Sequence, residues 1–238
     1  MKKIFFAAPF VVLLSFIPIQ KIKFNKAVTV DVLEPSDICL AADNQNFYVA
    51  GNRGMIAKVT PEGKVINSYD NAGADYEGVT LLGNDLYVVD ETYRRVDKFD
   101  ATTLKKISSV YLRDNGGMNK SFEGITYNPE RKIFITITES PVSIHEYNEE
   151  WFEKNVIDET AFKEASSILY HKGFVWILSD EKRTVYQVNQ NDYSIINQWQ
   201  IPVLNPEGIC FDANENLIIQ SDDRQTIYTF SPLNYNAK

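Results

Sequence analysis

The amino-acid sequence predicts an all-β protein, a five-bladed β-propeller whose ring is closed by an N-terminal strand joining the last blade. Five copies of a short motif recur along the 238 residues at intervals of 41, 46, 43 and 41 residues. Each copy precedes runs rich in Val, Ile, Tyr and Phe that are bounded by Asn, Asp and Gly, as strands are. Three or four strands in each such period is the pattern of a propeller blade.

The recurring motif, called the anchor below, has Ser or Glu first, a small residue or Asp second, and Ile or Val third. The five anchors begin at Ser36, Glu77, Glu123, Ser166 and Glu207. We therefore predict a propeller over 27–232 with blades starting near these positions, followed by a tail at 233–238. Residues 27–32 alternate as a strand does, and the last repeat has only three strands. We expect this segment to complete the last blade, which would remove an exposed sheet edge.

The N-terminal segment predicts export. Lys2 and Lys3 precede a run of sixteen uncharged, mostly apolar residues at 4–19, which indicates that residues 1–26 form a signal peptide or a membrane anchor. The run is long for a signal-peptide core and short for a relaxed transmembrane span. No small-x-small cleavage site closes it, so the uncleaved anchor is favoured over the cleaved signal. Either interpretation places the propeller outside the cytoplasm.

Composition narrows the range of partners. The chain has 32 acidic and 24 basic residues, a formal net charge of -8, and this balance argues against a nucleic-acid partner. An acidic surface suits cations better, and we expect a monomer.

Cys39 and Cys210 occupy the same repeat position in the first and last blades. Adjacent innermost strands lie too far apart for routine bridging, so we expect two buried thiols.

A column of arginines follows the anchors by seventeen residues. Its members are Arg53, Arg94, Arg183 and Arg224, with Ser140 in the third repeat. The favoured interpretation is that each arginine pairs with the acidic turn just before it and pins a hairpin. The alternative is that these arginines bind an anionic ligand.

Propeller topology gathers the anchors at one place. The first strand of each blade lines the central channel and the second is antiparallel to it, so anchors and the turns after second strands share one face. Carboxylates crowded around one axis repel one another unless a cation sits among them. Calcium suits such a site, because it takes six to eight oxygen ligands in loose geometry. The predicted metal residues are Glu77, Glu123, Glu207, Glu139 and Asp222.

One other interpretation of these residues stays open. An anchor glutamate followed by glycine could instead bond the backbone of the next blade. Zinc and copper are disfavoured, because His145, His171 and both cysteines fall outside the anchor column. We expect the two histidines to take no part in the site.

The anchor phrases resemble those of a known family. Residues 75–80 (DYEGVT), 121–127 (SFEGITY) and 206–212 (PEGICFD) look like the SdiA-regulated, YjiK-like family. The resemblance covers roughly 28–232. It implies a five-bladed propeller carried outside the inner membrane of bacteria, on the periplasmic side of the cell envelope, with a bound calcium ion and no established activity. The family is distantly similar to NHL-repeat and gluconolactonase-like propellers, some of which are metal-dependent enzymes.

Two functions follow as expectations. The first is a calcium-binding envelope propeller that holds an unknown ligand or an envelope protein without catalysis. It is favoured because the sequence has no Ser/His/Asp or Cys/His arrangement, and no catalytic residue is named. The alternative is a metal-dependent hydrolase or lactonase, in which a carboxylate such as Glu123 or Asp222 acts as general base.

Overall fold

The computed structural model describes residues 17–113, 121–158 and 161–235, and the regular elements within these ranges are twenty-one β-strands. No helix within these ranges is long and apolar enough to cross a membrane. Most of the predicted signal or anchor segment lies outside the described residues, as does the end of the predicted tail.

The strands form five sheets, and these are the blades. The first blade contains β3 (Pro35–Leu40), β4 (Phe47–Gly51), β5 (Met55–Val59) and β6 (Val65–Asp70). The second contains β7 (Tyr76–Leu82), β8 (Asp85–Asp90), β9 (Arg95–Asp100) and β10 (Lys106–Tyr111). The third contains β11 (Phe122–Asn128), β12 (Ile133–Thr138), β13 (Ser143–Tyr147) and β14 (Glu153–Asp158).

The last two blades receive strands from the N-terminal segment. The fourth contains β15 (Ala165–His171), β16 (Phe174–Ser179), β17 (Thr184–Asn189), β18 (Ile195–Gln200) and β1 (Ile19–Lys21). The fifth contains β19 (Pro206–Phe211), β20 (Asn216–Ser221), β21 (Thr226–Pro232) and β2 (Phe24–Thr29). The predicted five-bladed all-β propeller is therefore confirmed.

The N-terminal strands begin earlier in the sequence than predicted. The strand expected at 27–32 lies at 24–29, where β2 is antiparallel to β21. The strand β1 was not predicted, and it pairs in parallel with β18, with Ile19 opposite Gln198. Three residues are too few for an alternating pattern to reveal a strand.

The core lies between neighbouring sheets. Alternate residues of each strand point to opposite faces, so that Tyr48 and Ile56 of the first blade pack with Val88 and Phe99 of the second. Full burial of a side chain of this size contributes about 1.5–3 kcal/mol. Cys39 belongs to the same cluster, and both cysteines are buried free thiols, as the sequence predicted.

Each innermost strand carries a β-bulge at its anchor. The pairing register shifts between Pro35 and Asp37, Tyr76 and Gly78, Phe122 and Gly124, Ala165 and Ser167, and Pro206 and Gly208. The residue skipped in every case is the first anchor residue. A bulge bends the strand and redirects the side chain of the extra residue, so all five blades turn this position out of the ordinary ladder.

Close contact between innermost strands closes the channel just beside the anchors. A Cβ atom added to Gly78 would lie 2.8 Å from Gly124 Cα, and one added to Gly208 would lie 3.0 Å from Asp37 Cα. Glycine is needed at these second anchor positions because no methyl group fits. The channel mouth on the anchor side is consequently a cup with a tightly packed floor.

Candidate metal centre

The anchors open onto one polar cavity of about 180 Å³. Its lining residues are Asn52, Glu77, Glu123, Glu139, Ser166, Asp180, Glu207 and Asp222. All five residues predicted to form a metal site are among them. The cavity collects contributions from every blade, because each anchor and each turn after a second strand lies on the same face of the ring.

The tightest group of possible metal ligands is Asp75, Glu77 and Glu91. One carboxylate oxygen from each lies within 4.8 Å of the other two, and Glu77 and Glu91 are buried. The Ser121 backbone N–H donates to Glu91 Oε1 over 2.8 Å and fixes that carboxylate. Of the five predicted metal residues, only Glu77 belongs to this group.

The sequence analysis did not name Asp75 or Glu91 as metal residues. Glu91 stands in the acidic turn after β8, which the strand geometry already places at this face. Asp75 precedes Glu77 by two residues, and the bulge at the anchor brings both carboxylates to the same point. The Asp-x-Glu spacing predicts this cluster only when the position of the bulge is known.

Carboxyl groups on this side of the cup lie close together and raise one another's pKa values. Burial, followed by the like charge of Asp75, holds the pKa of Glu77 well above its usual value. Burial and the charge of Glu77 do the same to the pKa of Glu123. Burial and crowding of these carboxyl groups disfavour their charged forms, so bound protons or a bound cation would stabilise them.

The opposite side of the cup carries a second set of acids. Burial, with the charges of Asp180 and Asp222, raises the pKa of Glu207 to about 8. Burial also raises the pKa of Asp222, and the neighbouring Asp223 adds to the shift. Within the described residues, no ion pair joins Glu77, Glu123 or Glu207 to a lysine or arginine.

Two buried oxygen atoms of the cavity residues lack a hydrogen-bond partner among the described residues. They are Oδ1 of Asn52 and Oδ1 of Asp180. An orphaned buried acceptor is costly, at roughly 1–3 kcal/mol, and a cation would satisfy it. The donor set is made entirely of oxygen atoms, which is the preference of calcium and magnesium and not of zinc or copper. The residues present therefore fit a calcium ion.

The two serine anchors have a different role. Ser36 Oγ donates to the carbonyl of Tyr76, and Ser166 Oγ donates to the carbonyl of Pro206 over 2.7 Å. Each bond joins a blade to the first strand of the next. One alternative above was an anchor side chain that bonds to the backbone of the next blade. The two serine anchors do this, although Ser166 also lines the cavity.

The other sequence candidates lie away from the cup. His145 Nδ1 lies 3.0 Å from Glu153 Oε1, and His171 Nε2 lies 3.0 Å from Glu215 Oε2. Neither histidine lines the cavity. In the arginine column, Arg53 pairs with Glu34, which precedes the anchor instead of following the second strand.

Comparison with known proteins places the chain in a family. A sequence model of the SdiA-regulated family matches residues 21–231. The chain belongs to the SdiA-regulated family.

Solved structures agree on the architecture of this family member. The glutaminyl cyclase of Myxococcus xanthus superposes with a TM-score of 0.74 at 8% identity, covering 90% of this chain and 97% of that one. A protein of unknown function from Bacteroides caccae gives a TM-score of 0.58 at 12% identity, covering 79% and 71%. At these identities the likeness concerns the fold alone.

Proposed function

We propose that this protein is an exported, calcium-binding β-propeller of the bacterial envelope that holds a ligand or protein partner without catalysis. The observation that carries the proposal is the cluster of Asp75, Glu77 and Glu91, of which Glu77 also lines the cavity. Three carboxylates whose oxygens lie this close, two of them buried, would be stabilised by a bound cation.

The shape of the cup supports binding from one side only. Because the innermost strands touch at the glycine positions, an ion would be reached from the mouth and not through the ring. Calcium takes six to eight oxygen ligands, and protein carboxylates on one side leave positions that face the mouth. A carboxylate or hydroxyl group of a ligand would complete the coordination there.

The decisive experiment is calorimetric titration of the metal-stripped protein with calcium. We expect binding that releases protons, because carboxyl groups whose pKa is raised must lose their protons to act as metal ligands. Glu77→Gln should weaken calcium binding at least tenfold, since it removes a charged ligand from the centre of the cluster. Glu150→Gln, at an exposed position, is the matched control and should bind as the wild type does. Equal affinities for Glu77→Gln and the control would refute the site.

Export rests on the basic and apolar N-terminal sequence together with membership of the family. The proposal predicts that the full-length chain is recovered with the cell envelope and is digested by protease added to spheroplasts. Protection from protease in intact spheroplasts would place the propeller in the cytoplasm and contradict this part of the proposal.

A metal-dependent hydrolase is the second candidate, and one observation favours it. Glu207 lines the same cavity outside the Asp75–Glu77–Glu91 cluster, and its pKa of about 8 suits proton transfer near neutral pH. An enzyme would hydrolyse an ester or lactone in the presence of calcium and lose that activity in Glu207→Gln. A binding module would show no turnover, and Glu207→Gln would change only its affinities.

A further inference from the structure

A basic and apolar pocket lies at the outer edge of the fourth blade, outside the acidic cup. The pocket has a volume of about 360 Å³. Its basic residues are Lys21, Lys23 and Arg183, and its apolar residues are Ile22, Ile201 and Pro202. Gln200 also lines it, and no acidic residue does. In a chain with net charge -8, a pocket lined by three cations and no anion is unusual.

Backbone hydrogen bonds hold the two sides of this basic pocket together. The Ile22 N–H donates to the Gln200 carbonyl over 3.1 Å, and the Ile201 N–H donates to the Arg183 carbonyl over 2.9 Å. Lys21 is paired with Gln200 in the parallel β1–β18 ladder. Strand β1, which pairs with the fourth blade, therefore holds the backbone that carries Lys21 and Lys23 beside Arg183.

The three cations are not used internally. Among the described residues, none of Lys21, Lys23 and Arg183 forms an ion pair. By contrast, Lys163 and Lys182, near the same turn, both approach Glu181 Oε1, at 3.9 and 3.2 Å. Unpaired cations around an apolar pocket suit an amphiphile with an anionic head and an apolar body.

The pocket is also continuous with the apolar N-terminal run. The Gln198 side chain donates to the Ile17 carbonyl over 2.7 Å, so the chain is held against the fourth blade from within the run itself. If the proposed anchor leaves the hydrocarbon core near Ile19, the two extended residues to Lys21 span about 7 Å. The polar layer of a bilayer is about 5–8 Å deep on each side, so Lys21 would then lie at the level of the lipid phosphates.

We propose that the Lys21, Lys23 and Arg183 pocket binds anionic phospholipid and seats the edge of the fourth blade on the membrane surface. The inference rests on the proposed envelope location and adds the orientation of the propeller and the lipid class it recognises. Arg183 belongs to the turn that carries Asp180 into the cup, so the pocket and the cup lie at the same end of the fourth blade, although they share no lining residue.

The test is the partition of the full-length chain into vesicles of phosphatidylcholine, alone or with about one third phosphatidylglycerol. Each basic residue near an anionic surface raises binding about fivefold. The variant Lys21→Gln/Lys23→Gln/Arg183→Gln should therefore lose about a hundredfold of the preference for phosphatidylglycerol. Wild-type preference should also fall sharply at about 0.5 M salt, because the interaction is screened.

The matched control is Lys163→Gln/Lys172→Gln/Lys182→Gln, which removes the same charge from exposed, already paired lysines of the fourth blade. It should keep most of the preference. Equal losses in both triple variants, or no loss in the first, would overturn the proposal. Displacement of the protein from anionic vesicles by millimolar inorganic phosphate would indicate a small-anion site and would also overturn it.

Calcium titration of the same variants separates this inference from the proposed function. The triple variant of the pocket should bind calcium as the wild type does, since none of its residues lines the cup. Failure of the full-length chain to bind either kind of vesicle would refute the envelope location instead. Unchanged melting temperatures would show that a lost lipid preference is not caused by unfolding.

Discussion

The first and fourth blades use their anchors to hold the ring together, whereas the second, third and fifth blades turn theirs toward the cavity. In the serine blades, Ser36 and Ser166 bond to the carbonyl of the next blade, and Ser167 Oγ donates to Asp37 Oδ1 across the ring over 2.9 Å. In the glutamate blades the second anchor residue is glycine and makes no such bond.

This difference shows how one repeat position serves two purposes. The bulge at every anchor directs the side chain toward the mouth of the channel. A short hydroxyl bonds to the neighbouring strand and ties the blades together, and of the two serine anchors Ser166 also lines the cavity. A longer carboxylate reaches the cavity, where like charges raise one another's pKa values. Hydrogen bonds from the serine anchors therefore stabilise the ring, whereas charge repulsion among the glutamate anchors destabilises it.

The largest expected effect tests the structural half of this comparison. Asp37 is fully buried, and it accepts hydrogen bonds from the Val79 N–H over 2.9 Å and from Ser167. Asp37→Ala leaves these donors unpaired and should lower the free energy of unfolding by about 3 kcal/mol. Asp37→Asn keeps an acceptor oxygen and should lose about 1 kcal/mol.

Urea unfolding at pH 5 measures both Asp37 variants. Asp31→Ala, at an exposed position, is the control and should change the free energy by less than about 0.5 kcal/mol. If Asp37→Ala matched this control, the bridge across the ring would not stabilise the fold.

The next effect tests the glutamate half, through pH. The pKa of Glu207 is raised to about 8, and that of Asp37 likewise, so the folded protein binds these protons more tightly than the unfolded chain does. Stability is then fully present below about pH 4 and lost as the pH rises to about 8. The metal-free protein should lose roughly 2 kcal/mol or more over this range.

Urea unfolding in chelator at pH 5 and pH 8 measures this loss, and calcium should reduce it, because the ion binds only the folded cup. Glu207→Gln should flatten the slope in chelator. If the stability of the metal-free protein instead rose between pH 5 and pH 8, ionisation of the buried carboxyl groups would not destabilise the fold, and this interpretation of the cup would be wrong.

The smallest effect concerns a single bond between blades. Ser166→Ala removes the hydrogen bond to the Pro206 carbonyl and should lower the free energy of unfolding by about 1 kcal/mol. Calcium affinity should stay within a factor of two or so, because this hydroxyl is already used by the fifth blade. The exposed Ser68 on β6 supplies the control, Ser68→Ala. A large loss of calcium binding in Ser166→Ala would show that this serine is a metal ligand. It would contradict the division into blades whose anchors bond to the ring and blades whose anchors face the cavity.

The position of the cup could be predicted because it follows from strand direction. Glu77, Glu123 and Glu207 recur at the blade period, and antiparallel pairing brings the turns after second strands to the same face. Asn52 was not predicted to line the cavity, because no repeat column distinguishes it. The strand β1 escaped notice because its partner β18 is about 180 residues away in the sequence.

The number of blades, the all-β fold and the face on which the carboxylates meet are predictable from the sequence, because they depend on a repeat period and on alternation within strands. Three other features emerged from the three-dimensional arrangement: Asp75 and Glu91 join Glu77, Asp37 closes the floor, and three cations surround an apolar pocket. Each of these depends on a bulge, a close approach of backbones or a strand pairing between distant segments. Local sequence carries no record of such distances.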